Sequence, residues 1–361
     1  MKCNFCNHSK GNKIFKTNLP SFRHLDFEKI STKSNFIQCK KCSLINVINN
    51  QNSKKNEKMF KSILYSKSKQ TNQKKYFKKK IFFRNEIQSD LISKELELKS
   101  NILDIGCFDG KLLYFLSKKL KKSSLTGFEI NKKLKKNFPS GKRFKFINDF
   151  EKLPKKKYDA IILSHSIMYF KKLDKLFSTI INLLMENGKI FIQVPNIERN
   201  PLNVLMGDQR NIFTINSMKN ICNILGLKIK LIEKKIFKRE ILFIITKKKY
   251  RRYYKLIAND NSLKNSINYL KNLKIKILKN LNQSDYYIFG TTVNAAFIYE
   301  FAKDKISFFI DENNDKKYFK KLNVYKPNEI NLKFNTIVPS IFGKELTNKL
   351  QKKYNGKFIL I

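Results

Sequence analysis

The feature that most constrains this chain is an alternation of β-rich runs with amphipathic helical stretches between residues 100 and 248. The runs that read as strands are Asn101–Ile105, Ser124–Glu129, Arg143–Ile147, Tyr158–Leu163, Lys189–Pro195 and Ile241–Thr246. Parallel strands need a crossover long enough to hold a helix, so the alternation predicts a parallel α/β sheet with helices on both faces. The first strand runs into Gly106-Cys107-Phe108-Asp109-Gly110 and then into an apolar helix start at Leu112-Leu113. Glycines at 106 and 110 would let the backbone approach a ligand where a Cβ would clash. The spacing is not the three-glycine dinucleotide fingerprint, because Phe108 and Asp109 intervene.

Acidic residues recur at the strand ends. Glu129 closes the second strand, where a carboxylate can grip ribose hydroxyls. Asp149 follows the third, placed to accept from an adenine amine, and Ser164-His165 follow the fourth. This series resembles the class I S-adenosylmethionine-dependent methyltransferases over about 150 residues. By that resemblance Asp104, Gly106 and Gly110 shape the methionine side of a cofactor pocket, Glu129 holds the ribose, and Asp149 with Phe150 frames the adenine. Cys107, inside the loop, and Ser164 complete the expected cofactor-binding set. The alternative is a non-catalytic or nucleotide-binding Rossmann-like domain.

Four of the six cysteines form Cys3-x2-Cys6 and Cys39-x2-Cys42. Each pair suits a tight knuckle that points two thiolates at one tetrahedral ion, so Cys3, Cys6, Cys39 and Cys42 are the expected ligands of a structural zinc ion. Free cysteines or a redox pair are the alternatives. His8 and His24 are substitute ligands that a full set of four cysteines does not need. The start, Met1-Lys2-Cys3-Asn4-Phe5-Cys6, has no apolar stretch of signal-peptide type, which points to the cytoplasm, where disulfides are disfavoured. No apolar run approaches the roughly 18–20 residues that span a bilayer. Cys107 and Cys222 are singletons, the latter on an apolar helix face.

The charge is extreme: 76 Lys+Arg against 28 Asp+Glu, a formal +48. It is nearly all lysine, spread over the whole chain, which reads first as solvated faces. Attraction to an anionic substrate or to an anionic membrane surface comes second. Scarce arginine and the lack of a localised stripe argue against sequence-specific nucleic-acid binding. With 42% apolar residues, 31 Phe and 15 Tyr, the chain can bury real cores and is not intrinsically disordered.

Five segments follow: a zinc-binding module (1–60), a helical linker (61–98), the methyltransferase domain (99–248), a helical connector (249–283) and a smaller Rossmann-like α/β domain (284–361). The whole resembles the three-part sugar C-methyltransferases that act on nucleotide-linked deoxysugars. The stretches that carry this are the cysteine pairs, Leu64-Tyr65-Ser66-Lys67-Ser68, Gly127-Phe128-Glu129, Phe309-Ile310-Asp311-Glu312-Asn313-Asn314-Asp315 and Lys326-Pro327-Asn328-Glu329-Ile330. Where that family carries Tyr-His-Glu-His with its acid/base residues, this chain reads Gly207-Asp208-Gln209-Arg210. Gly290-Thr291-Thr292-Val293-Asn294-Ala295 likewise lacks the family's lysine and second glycine.

The resemblance implies a cytoplasmic methyltransferase using S-adenosylmethionine on a nucleotide-linked sugar or related envelope-glycan precursor. The alternatives are an O- or N-methyltransferase with another small acceptor, a scaffold that lost the chemistry and, less favoured, an RNA methyltransferase. Tyr65, His165 and Asp208 are the candidate catalytic residues, with Arg210 as a phosphate or carboxylate binder. Each has a plainer reading: a packed linker aromatic for Tyr65, a pocket-lining or strand-capping residue for His165, a turn residue for Asp208.

Overall fold

The computed structural model describes residues 1–48, 58–62, 74–77, 80–153, 158–232, 237–248, 256–257, 260–281, 285–312, 317–330, 335–339, 343–354 and 356–361. The expected leucine- and isoleucine-rich runs form one seven-stranded sheet. Its strands are β5 (Asn101–Ile105), β6 (Ser124–Phe128), β7 (Phe144–Ile147), β8 (Tyr158–Ser164), β9 (Leu184–Pro195), β11 (Leu227–Ile232) and β12 (Glu240–Lys247). The order across the sheet is β7-β6-β5-β8-β9-β12-β11. The first five run parallel, and β12 is antiparallel to both β9 and β11. The order reverses between β5 and β8, so crossovers leave that point in opposite directions and open a crevice beyond the carboxyl ends of the strands.

Both faces of the sheet are buried, which is why its middle strands read as unbroken apolar runs rather than alternating ones. Side chains still alternate between the faces. Leu103, Ile105, Ile161 and Leu163 pack with Phe177 and Ile180 of α3 (Leu173–Leu183) and with Ile221 and Cys222 of α4 (Ile215–Leu225). Ile102, Ala160 and Ile162 pack on the other side with Leu113 and Leu116 of α2 (Lys111–Lys119) and Ile92 of α1 (Arg84–Ser93). Cys222 is thus a core residue, as its helical position suggested.

Two sequence expectations need correction. The stretch 61–98 is not helical throughout: β3 (Lys74–Phe77) and β4 (Lys80–Phe83) pair antiparallel, and α1 begins only at Arg84. Tyr76, Phe77, Ile81, Phe82 and Phe83 are aromatic or β-branched and favour extended backbone, which outweighs the helical spacing of the apolar residues. The second is an omission: β11 is not among the expected strands, although its Leu-Lys-Ile-Lys alternation is the two-residue period of a strand with one polar face.

By compactness the described chain forms two units: Met1–Phe15, Asn35–Arg199 and Asp208–Asp260 in one, and Lys16–Ser34, Asn200–Gly207 and Asn261–Ile361 in the other. The first holds the large sheet together with the cysteine segments. There β1 (Ser34–Gln38) pairs with β2 (Ile45–Val47), and β2 pairs with the two-residue β10 (Asn211–Ile212).

The second unit has its own sheet, with the strands β13 (Tyr286–Phe289), β14 (Ile306–Ile310), β15 (Tyr318–Phe319), β16 (Leu322–Tyr325), β17 (Asn335–Val338) and β18 (Lys357–Leu360) in the order β15-β16-β14-β13-β17-β18. All pairs are parallel except β15 with β16. In the same unit, Lys320 is buried with its Nζ 5.2 Å from the centre of the Phe22 ring. Its ammonium also donates to the Phe27 carbonyl, and desolvation lowers its pKa.

Gly127 shows how tightly β6 is packed: a Cβ there would lie 2.5 Å from the Phe138 ring and 2.6 Å from Cys107 Sγ. Overpacking of this kind costs about 1–3 kcal/mol. Gly127→Ala should therefore lower the denaturant midpoint at unchanged slope; an unshifted midpoint would mean that Phe138 moves aside freely.

Candidate functional site

The carboxyl ends of β5, β6 and β8 meet at the crevice. After β5, Gly106 N–H and Cys107 N–H both donate to the Phe128 carbonyl, at 2.8 and 3.1 Å, extending the β5/β6 ladder into the loop. Gly106 and Gly110 have φ of +78° and +74°. A Cβ at Gly106 would stand 2.5 Å from Ser166 Cβ, and one at Gly110 2.5 Å from Phe138. Left-handed backbone and contact with the protein's own side chains therefore both require glycine at these positions. Gly110 caps the amino end of α2.

Glu129 locks this loop from the next strand. Its Oε2 accepts from Phe108 N–H at 3.2 Å and its Oε1 from Asn131 N–H at 3.1 Å. Asn131 in turn donates through Nδ2 to the carbonyls of Phe60 (2.8 Å) and Ser62 (3.1 Å). The Phe60 ring meets Tyr169 edge-on, 4.9 Å between centroids. Asn131 was not expected from sequence; an Asn two residues beyond a strand-ending acid is the only local signal.

Asp149 is partly exposed and caps a one-turn helix, accepting from Glu151 N–H at 3.1 Å. Phe150 packs edge-on against Phe128 at 5.2 Å, so the expected adenine-side aromatic sits beside the strand end that carries Glu129.

Asp104 is 2% exposed, and its Oδ1 has no hydrogen-bond partner among the described residues. Desolvation, then the charge of Glu129, pushes its pKa from 3.8 to about 8. Burial also raises Glu129, against the backbone amides that favour its charge. Two desolvated acids beside a glycine turn favour a cationic ligand, because a nearby positive charge stabilises both carboxylates. S-adenosylmethionine carries an ammonium and a sulfonium, and this donor set fits it. Cys107 is a buried thiol in the apolar cluster beside α2, its pKa raised by burial and the nearby acids.

A second cluster lies at the end of β8. His165 has φ of +55°, and its amide donates to the Gln193 carbonyl at 2.9 Å. Its Nε2 is 3.2 Å from Glu240 Oε2, which also accepts from Gln193 Nε2 and lies 3.9 Å from Arg84 Nε. Ser164 Oγ exchanges a hydrogen bond with the Gln88 side chain at about 3 Å, so Ser164 fastens α1 to the rim. Glu240, Arg84 and Gln88 were missed in the sequence. Glu240 is brought in by antiparallel pairing opposite Pro195, and no local motif marks that.

Asp208 lies in a turn, as its plainer reading expected, but is buried at 3% exposure. Two residues on, Arg210 N–H donates to the Met168 carbonyl at 2.9 Å, which seats the 208–210 loop on the segment leaving His165. Tyr65 lies outside the described residues.

The four paired cysteines converge. Sγ–Sγ distances are 3.6 Å for Cys3–Cys42, 3.5 Å for Cys6–Cys39 and 3.7 Å for Cys6–Cys42, with all four sulfurs within 4.8 Å of one another. Each pair sits on a knuckle: Asn7 N–H donates to the Cys3 carbonyl and Ser43 N–H to that of Cys39, with φ of +55° and +60° at Asn7 and Ser43. A tetrahedral zinc with Zn–S of about 2.3 Å sets sulfurs about 3.8 Å apart, so the set fits that ion without either histidine.

Residues 78–231 match a family profile described as a methyltransferase domain. A 115-residue stretch is 29% identical to the uncharacterized protein MJ0906 of Methanocaldococcus jannaschii, covering 30% of this chain and 31% of that protein. Among solved structures, the plantazolicin methyltransferase BpumL in complex with SAH is 16% identical with a TM-score of 0.37, over 45% of this chain and 82% of that one. The glycopeptide N-methyltransferase MtfA complexed with sinefungin is 10% identical with a TM-score of 0.38, over 45% and 94%.

Two measurements test the site. An acid raised from 3.8 to about 8 in the folded chain keeps a proton that the unfolded chain has released. Ligand-free stability should therefore fall as pH rises from about 4 to about 8 and then level off. Urea unfolding across that window should show the slope, and Asp104→Asn should flatten it; stability rising with pH would mean that Asp104 is ionised throughout. Cys39→Ser should lower the zinc bound per chain and the melting temperature together, and full zinc retention would remove Cys39 from the ligand set.

Proposed function

We propose that this chain, whose residues 78–231 match a methyltransferase domain, is an S-adenosylmethionine-dependent methyltransferase and that its acceptor is a nucleotide-linked sugar or a related envelope-glycan precursor. The observation that carries this reading is the position of the cysteine knuckles in the same compact unit as the methyltransferase sheet, joined to it through β2 and β10. The sequence resemblance to the three-part sugar C-methyltransferases supports the choice of acceptor, although the described chain divides into two compact units rather than three. The lysine excess suits an anionic diphosphate acceptor and, secondarily, an anionic membrane surface. No described helix is long and apolar enough to cross a membrane. We place the protein in the cytoplasm, where four thiolates keep a structural zinc rather than disulfides.

When bound, S-adenosylmethionine supplies an electrophilic methyl group on sulfonium. The chain must then hold an acceptor nucleophile in line with it, roughly 3–3.5 Å away, and take its proton. His165 is the base we assign. With Nε2–H donating to Glu240, its Nδ1 carries the basic lone pair, and the carboxylate stabilises the imidazolium that forms. Asp208 and Tyr65 are the remaining candidates for proton transfer or oxyanion stabilisation, and Arg210 for gripping phosphate. Asp104, Glu129, Asp149 and Phe150 hold the cofactor.

A second reading, O- or N-methylation of another small acceptor, draws on Gly207-Asp208-Gln209-Arg210, where no histidine stands. Removing a carbon-bound proton beside a ketone needs more acid/base machinery than activating a hydroxyl.

Calorimetric titration with S-adenosylmethionine and S-adenosylhomocysteine should give micromolar binding, weakened by about 1–3 kcal/mol in Glu129→Ala through loss of a buried charged partner. Incubation with nucleotide sugars should then add the mass of one methyl, and His165→Ala should abolish that gain while sparing cofactor affinity. Absence of cofactor binding in folded, zinc-loaded protein would overturn the enzyme reading. Methylation of other acceptors alone would select the second.

A further inference from the structure

Three asparagines, the half-buried Asn4 and the buried Asn46 and Asn211, join the first cysteine knuckle to the rim that carries His165 and Asp208. Asn4 lies between Cys3 and Cys6. Its N–H donates to Asn46 Oδ1 at 3.3 Å, its Nδ2 to Asn211 Oδ1 at 2.9 Å, and its carbonyl accepts from Leu173 N–H, at the start of α3, at 3.1 Å. Asn46, four residues past Cys42, donates through Nδ2 to the same Asn211 Oδ1 at 3.1 Å. Asn211 is fully buried and donates through its own Nδ2 to the Phe170 carbonyl at 2.7 Å. One carboxamide therefore holds the knuckle, the strand after the second knuckle, and the 167–173 segment.

We propose that Asn211 is a positioning residue that couples metal loading at the four cysteines to the geometry of the acceptor rim. β10 is only two residues long, and a strand that short does not hold its register by backbone pairing alone. The flanking bonds, Val47 N–H to the Arg210 carbonyl and Arg210 N–H to the Met168 carbonyl, keep register only while the strand stays seated. Asn211 seats it, because its oxygen has two lone pairs for two donors and its amide a hydrogen for Phe170. An apolar side chain would take away the hydrogen-bond partner of buried Asn46 and of half-buried Asn4 and Phe170. The metal enters through Asn4, whose backbone is fixed between two ligand cysteines. Without the ion the knuckle loses its covalent anchor points, and Asn4 loses the orientation that aims it at Asn46, Asn211 and Leu173.

The rim's catalytic meaning rests on the function proposed above, but the coupling does not, so the test is hydrogen exchange in the full chain with no acceptor present. Stripping zinc with a chelator should raise amide exchange by about tenfold or more in 167–173 and 208–212, while β5 and β8 keep their protection. Zinc-loaded Asn211→Ala should reproduce that increase at unchanged zinc content, and chelation should then add little in those segments. Asn211→Asp keeps the acceptor for Asn4 and Asn46 but loses the donor to Phe170. It should loosen 167–173 and spare 208–212, a split that general destabilisation does not produce. Should the Asn211 variants fail to fold, Asn4→Ala gives the same reading from the knuckle side. Unchanged rim exchange on zinc removal, or loss of protection spread equally into β5 and β8, overturns the coupling. Cofactor titration on the same samples separates that outcome from a failure of the methyl-transfer reading.

Discussion

A parallel sheet buried on both faces has no place for polar chemistry except the ends of its strands. The candidate cofactor site of this chain follows from that constraint. The apolar strands β5, β8 and β9 fill the interior, and their carboxyl ends carry Asp104, Ser164 and the approach to Gln193 and Pro195. The reversal of strand order between β5 and β8 keeps those ends from being covered by one crossover. Burial then does electrostatic work. Asp104 and Glu129 are close enough for one charge to disfavour the other, and both are withdrawn from water. A positive charge placed beside them would favour the ionised form of both.

The rim opposite the glycine loop follows a different logic. Glu240 collects His165, Gln193 and Arg84 around one carboxylate, and each comes from a different element of the sheet or its flanking helix. The left-handed backbone at His165 is a cost for a residue with a Cβ, and such strain persists only where the surroundings over-determine it. Here the amide bond to Gln193 and the side-chain bond to Glu240 do so. The imidazole is thereby held at the end of β8 with one nitrogen committed to a carboxylate.

Much of this was legible in the sequence because it is local. Strand-then-glycine-then-helix marks the loop, and an acid ending the next strand marks Glu129. Two Cys-x2-Cys pairs mark the knuckles, since sulfur spacing within a pair is set by a turn of fixed length. What was not legible is long-range. Glu240 reaches His165 only because β12 runs antiparallel to β9. Asn211 reaches Asn4 across more than two hundred residues, and asparagine is common enough in this chain that no spacing singles it out. The hairpin of β3 and β4 was misread because its aromatic residues also fall at helical intervals. The sequence also did not show that Ser166 and Phe138, distant in sequence, leave no room for a side chain at Gly106 and Gly110.

The discontinuous make-up of the second compact unit has a consequence for biosynthesis. That unit draws on residues 16–34 and 200–207 as well as 261–361. Its earliest stretch leaves the ribosome long before the sheet it belongs with. At roughly 5–20 residues per second, that wait is on the order of tens of seconds. Through it, aromatic residues such as Phe22 and Phe27 stay without the lysine and phenylalanine partners that later enclose them, Lys320 and Phe319. The cysteine knuckles, by contrast, are complete once residue 42 has emerged, so a metal ion can fix both sides of this stretch while its final neighbours are still unmade. A metal site usually credited with stabilising a finished fold would, in this chain, also act as a holding clip during synthesis.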